Sequence, residues 1–172
     1  MSQFSVEYLQ KCFSFSKNFN EIFDAVKYAI DNKIEDIELY HKLLSNPNLT
    51  EFEVCLFGEK LAETFPNLAF EIFMWMSSLF AATVSKKDNY EFAIRYIKKS
   101  ADIFPNSIDP YLKMFECYDS FLNIPPIDEV ISFLIFGYEK NSNSKKILEK
   151  IVILYEIKGD DEWSEFYRNK LK

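Results

Sequence analysis

Glycine occurs only three times in 172 residues, at Gly58, Gly137 and Gly159, and each copy stands alone. A phosphate-cradling loop needs clustered glycines, so that class of nucleotide site is excluded. The same scarcity argues against a β fold, whose turns and bulges consume glycine. Histidine occurs once, at His41, which removes His-rich metal sites and paired-imidazole relays. His41 stands beside Lys42 on a predicted helix and reads as a solvated surface side chain. Cys12, Cys55 and Cys117 are far apart and form no CxxC pair, so neither a zinc site nor a disulfide framework follows. Each lies among apolar residues and reads as a buried thiol. The carboxylate pairs Glu35/Asp36 and Asp160/Asp161 stand at predicted helix starts, where negative charge complements the helix dipole. No acid, base, nucleophile or ligand set converges, so the expectation is a non-enzyme with no catalytic residue, no cofactor and no metal.

Positive charge is also in short supply. Twenty Lys and Arg face 27 Asp and Glu, giving a net charge of −7 and a pI near 4.9. Such a chain repels phosphate backbones, so nucleic acid is not an expected partner, whereas a basic peptide or protein surface is. The opening, MSQFSVEYLQKCFSF, has no basic stretch followed by a clean apolar run, and with unpaired thiols this predicts a cytoplasmic location. The most apolar segment is LAFEIFMWMSSLFAATV, Leu68 to Val84, and Glu71 interrupts it. A spanning helix needs about 20 apolar residues, so this one reads as a buried helix and no membrane span is expected.

What the chain has in quantity is aromatic side chains, 18 Phe and 10 Tyr, and helical periodicity. Ile22, Phe23, Val26, Ala29 and Ile30 form an apolar stripe, and Ile37, Tyr40, Leu43 and Leu44 repeat it. Thr50 and Glu53 have capping-box spacing, and Asp88 with Glu91 repeats it. Asp109-Pro110 offers an N-cap followed by proline, and Asp128 a cap after Pro125-Pro126. The pattern predicts about ten helices, near 4–14, 19–32, 35–45, 51–64, 67–84, 89–103, 109–122, 128–140, 144–158 and 161–171, joined by short connections.

The helices also repeat. Phe65-Pro66-Asn67 returns as Phe104-Pro105-Asn106, each closing one predicted helix and preceding another. In NYEFAIRYIKKSADIFPNS, Asn89 to Ser107, Ala93 is followed by Ile97, Ser100 and Pro105. This resembles the second helix of a tetratricopeptide repeat, a helix–turn–helix unit of about 34 residues. In register, Tyr111, Met114 and Tyr118 take the first-helix slots of the next unit, and Val130, Leu134 and Gly137 those of its second helix. Phe115 departs from the family, which has Gly or Ala there; the NIPPID connection is long, and no proline closes that unit. The last unit fits with Leu148, Ile151 and Tyr155, then Gly159-Asp160 in the turn and Ser164 at the helix contact.

The resemblance implies an all-α fold, a right-handed α–α superhelix of about ten antiparallel helices in a single domain, 1–172. Residues 67–172 supply the tetratricopeptide-like units and 1–66 divergent helical pairs. Small residues at Ala93, Ser100 and Gly137 would let helices approach, with Tyr111 and Tyr155 filling the gaps between units. It further implies a concave groove lined by first helices, and a non-catalytic scaffold for protein binding. The lining would be Phe70, Phe73, Ser77 and Phe80, then Asp109, Leu112, Glu116 and Asp119, then Lys146, Glu149, Ile153 and Glu156. A groove aromatic at one end and acidic at the other suits an apolar and basic peptide. Family members that grip acidic C-terminal tails use Lys, Arg and Asn, of which only Lys146 is present, so that ligand is not expected. The alternative for the aromatic set is that it fills core. Alternative functions are a self-assembling subunit, pairing through Phe13 and Phe15 or Trp163 and Phe166, and a cytosolic chaperone for a secreted partner.

Overall fold

An apolar stripe on a helix is stable only when another element covers it, and in this chain other helices do so. The structure, a computed structural model, describes residues 4–82, 87–141 and 144–172, with only the backbone of Lys87 and Asp88. Its elements are α1 (Val6–Phe15), α2 (Phe19–Asp31), α3 (Ile37–Leu44), α4 (Glu51–Thr64), α5 (Ala69–Ala82), α6 (Lys87–Ile103), α7 (Asp109–Glu116), α8 (Ile127–Lys140), α9 (Lys145–Lys158) and α10 (Asp161–Asn169). A 3-10 turn, Pro66–Leu68, leads into α5. No strand occurs among the described residues, and the chain is all-α.

The chain divides into two compact units, Met1–Ala93 and Ile94–Lys172, with the boundary inside α6. In the first, α1 packs on α2 and α3, α3 on α5, and α4 on α2, α3 and α5. In the second, α7 packs on α8 and α9, α8 on α9, and α9 on α10. Each unit therefore joins a helix to its neighbour or to the next but one, as stacked hairpins do. Leu9, Phe13, Ile22, Tyr40, Leu61, Ile72 and Met76 fill the first core; Tyr96, Tyr111, Met114, Leu134, Ile147 and Ile151 fill the second. Phe13, expected on an outer face, is thus interior, and Phe15 is exposed.

Two glycines set how closely helices meet. A Cβ on Gly137 would lie 2.3 Å from the Tyr111 ring, and one on Gly58 would lie 2.2 Å from Met76 Sδ. The Tyr111 hydroxyl donates to the Pro105 carbonyl at 3.0 Å, and Asn141 Nδ2 donates to the same oxygen at 3.1 Å. The carbonyl at the FPN stop is therefore bonded by the helices that follow it.

Local signals place most helix ends. Thr50 and Glu53 form the capping box, and Asp36 and Asp160 cap α3 and α10 through Leu39 and Trp163 N–H groups. Gly159 takes the left-handed conformation after α9, at φ 76°. Three expectations shift. Asp88 falls inside α6, not ahead of it, and its side chain lies outside the described residues. Asp109 is the first residue of α7, after Ile108, and Pro126 is the cap of α8, which leaves Asp128 in the first turn. The expected 67–84 helix is described to Ala82; Thr83 and Val84 lie outside the described residues. The largest departure is α7, which stops at Glu116 and not at 122.

Candidate interaction surface of the second unit

The four aromatic-end positions lie on α5, and most of them are core. Phe73, Ser77 and Phe80 are buried and Phe70 is half-buried. Ser77 Oγ donates to the Met74 carbonyl at 2.7 Å, and Phe80 meets Phe92 at 5.1 Å between centroids. The reason is α5's apolar composition: packed against α3 and α4, it has little polar face to turn outward. At Phe73, Ser77 and Phe80 the expected groove lining gives way to core.

The remaining positions belong to the second unit, where α7 and α9 pack together. On α7, Asp109 and Glu116 are exposed and Leu112 is half-buried; on α9, Lys146, Glu149 and Glu156 are exposed and Ile153 is half-buried. Lys150 Nζ lies 4.7 Å from the Phe115 ring centroid, a cation–π contact that joins the two helices. Phe115 itself is half-buried beneath that ammonium. Some of the expected acidity is already matched: Glu116 pairs with Lys113 at 3.5 Å, and Glu156 with Arg168.

Asp119 lies beyond α7 and builds a loop. Its N–H donates to the Ile124 carbonyl at 2.8 Å, and Ile124 N–H returns a bond to its carbonyl at 3.2 Å. Its carboxylate Oδ1 accepts from Phe121 N–H at 2.8 Å and Leu122 N–H at 3.0 Å. Asn123, at φ 52°, accepts from Ile127 N–H at 3.0 Å through Oδ1. These side-chain-to-backbone bonds offer the chain an alternative to continuing the helix, which is why α7 ends early. The loop presents Phe121 and Leu122 to solvent, 93% and 60% exposed. Read as part of a helix, neither was a candidate; the signal that could have found them is the Asp-x-x-x-Asn spacing just ahead of Pro125-Pro126.

His41 is half-buried, not solvated. Its ring stacks on Trp75 with centroids 4.0 Å apart, Nε2 is buried without a hydrogen-bond partner, and burial lowers its pKa. Cys12 and Cys117 are buried and unbridged, and Cys55 is half-buried; burial pushes the Cys12 thiol up to about 11. A cleft in the first unit is lined by Leu44, Pro47, Leu79 and Asn46, but Asn46 is engaged, donating to Ser16 O at 3.1 Å and accepting from Asn48 N–H at 2.9 Å. Among the described residues no group of three or more His, Cys, Asp or Glu could hold a metal ion, and no helix is long and apolar enough to cross a membrane. Comparisons with protein-family models, with curated proteins and with solved structures find no match to this chain.

Proposed function

We propose that this chain is a non-catalytic scaffold of tetratricopeptide-like helical repeats, stacked in the right-handed sense, that holds a peptide or protein segment with apolar anchors and a basic flank. The observation that carries the reading is the Asp119–Ile124 loop, whose backbone is bonded at both ends while Phe121 and Leu122 project into water. Covering those side chains removes apolar area from water at about 25 cal/mol per Å². A loop already held in shape loses little conformational freedom on binding, so more of that gain survives as affinity. Asp109 and Glu149, both exposed, support the basic flank. With Glu116 and Glu156 already ion-paired, the apolar anchors contribute more than charge does.

Selection of displayed random peptides on the immobilised protein tests this. The expected winners carry aromatic or aliphatic anchors beside Lys or Arg. Phe121→Ser with Leu122→Ser should weaken them about tenfold or more, with helical content and melting temperature unchanged. An absence of enrichment, or winners that bind the double variant equally well, would contradict the proposal.

A further inference from the structure

Beside its contact with α9, α10 carries an exposed aromatic flank whose charges are arranged symmetrically. Ser164 and Tyr167 turn inward and are buried, while Trp163 and Phe166 remain 46% and 47% exposed. The Trp163 ring stacks on Tyr155 at 6.1 Å and meets Phe166 edge-on at 5.3 Å; Phe166 meets Tyr167 at 5.1 Å. The α9–α10 core therefore continues outward as one aromatic cluster that is covered on one side only. Glu162 and Lys170, both exposed, stand one helical turn before and one turn after Phe166 on the same side. Lys170 Nζ lies 4.4 Å from the Phe166 centroid, 5.2 Å from that of Tyr167 and 5.9 Å from that of Tyr138 on α8, so its flexible stem must swing outward to meet a partner's carboxylate.

We propose that α10 pairs antiparallel with α10 of a second copy of this chain, about a twofold axis passing Phe166. The charges select that occupant. Across such an axis Phe166 meets its own counterpart, and Glu162 of each copy meets Lys170 of the other, so both ends of the stripe are matched at once. Parallel pairing would set Glu162 on Glu162 and Lys170 on Lys170, which is repulsive. A uniformly basic or acidic partner would satisfy one end and oppose the other. Two half-exposed rings per copy make a contact well below the standard interface of about 1,600 Å², so the dimer is weak and concentration-dependent. This contact uses none of the residues of the 119–124 loop, and stands or falls separately from the proposed function.

Sedimentation of the full chain over a wide concentration range at low salt, with charge-swapped variants, tests it. The wild type should shift from monomer to dimer as concentration rises. Glu162→Lys alone and Lys170→Glu alone should each weaken association about tenfold or more, since each sets like charges opposite one another twice. An equimolar mixture of the two variants should regain the dimer, because the mixed pair restores both Glu–Lys contacts. Both substitutions are on the surface, and unchanged circular dichroism confirms that each variant is folded. A wild type that stays monomeric throughout, single variants that associate as well as the wild type, or a mixture no more associated than its components would each overturn the proposal.

Discussion

His41 lies flat against Trp75 on α5, inclined 15° to the indole, and Trp75 Nε1 donates to Ser45 Oγ at 3.1 Å. Lys42, its sequence neighbour, is exposed and suggests a solvated site; Trp75 covers His41 from a different helix, which no local pattern reveals. Burial is the larger influence on the imidazole and lowers its pKa, while Glu38 on the same helix and Glu71 on α5 pull it upward. A histidine whose folded pKa lies below its unfolded value of about 6.5 stabilises the fold fully above that value. The contribution is lost as pH falls toward the folded pKa, because the unfolded chain then binds more protons. Urea midpoints measured at descending pH should therefore show a slope starting near pH 6.5 that His41→Phe, which keeps a ring on Trp75, reduces. An identical slope in the variant would show that other groups set it.

Between helices, the decisive contacts are made by residues with little or no side chain. Gly137 faces a Tyr111 ring held in place by its hydrogen bond to Pro105, whereas Gly58 faces the flexible thioether of Met76. Alanine favours helix over glycine by up to about 1 kcal/mol, but overpacking against a fixed ring costs about 1–3 kcal/mol. Thermal melts should therefore show Gly137→Ala destabilised, and more so than Gly58→Ala, where Met76 can move aside. Equal melting temperatures for the two would show that Tyr111 is not fixed. That Gly137 lets a helix approach closely and that Tyr111 fills a gap were readable in the sequence; that these two residues face each other was not, because their contact joins two different helices. Most helix ends were legible to within about two residues from the apolar spacing, whereas of the cap readings at Thr50, Asp88, Asp109 and Asp128 only Thr50 with Glu53 holds. The end of α7 was not legible: Tyr111, Met114 and Tyr118 carry the helical spacing past Glu116, and only the captured N–H groups of Phe121 and Leu122 show that the helix has stopped. Phe73, Ser77 and Phe80 on α5 prove to be core for a related reason, since an aromatic stripe is equally suited to a groove or to a core.

For the whole molecule, acidity and an aromatic surplus point the same way. A net charge of −7 complements basic surfaces, and the aromatic side chains outside the two cores, Phe121 above all, would be the anchors for the peptide proposed above. Carboxylates alone make a poor test of that surface. Asp119→Lys would remove the acceptor for two loop amides, so lost binding could not be assigned to charge. Amide hydrogen exchange on the wild type, with and without a saturating selected peptide, asks the question directly. The account predicts slowed exchange at residues 118–124 and along α7 and α9, with α2 and α4 unchanged. Protection confined to the first unit, or none at all with the peptide bound, would contradict the claim that this chain holds its partner at the Asp119–Ile124 loop.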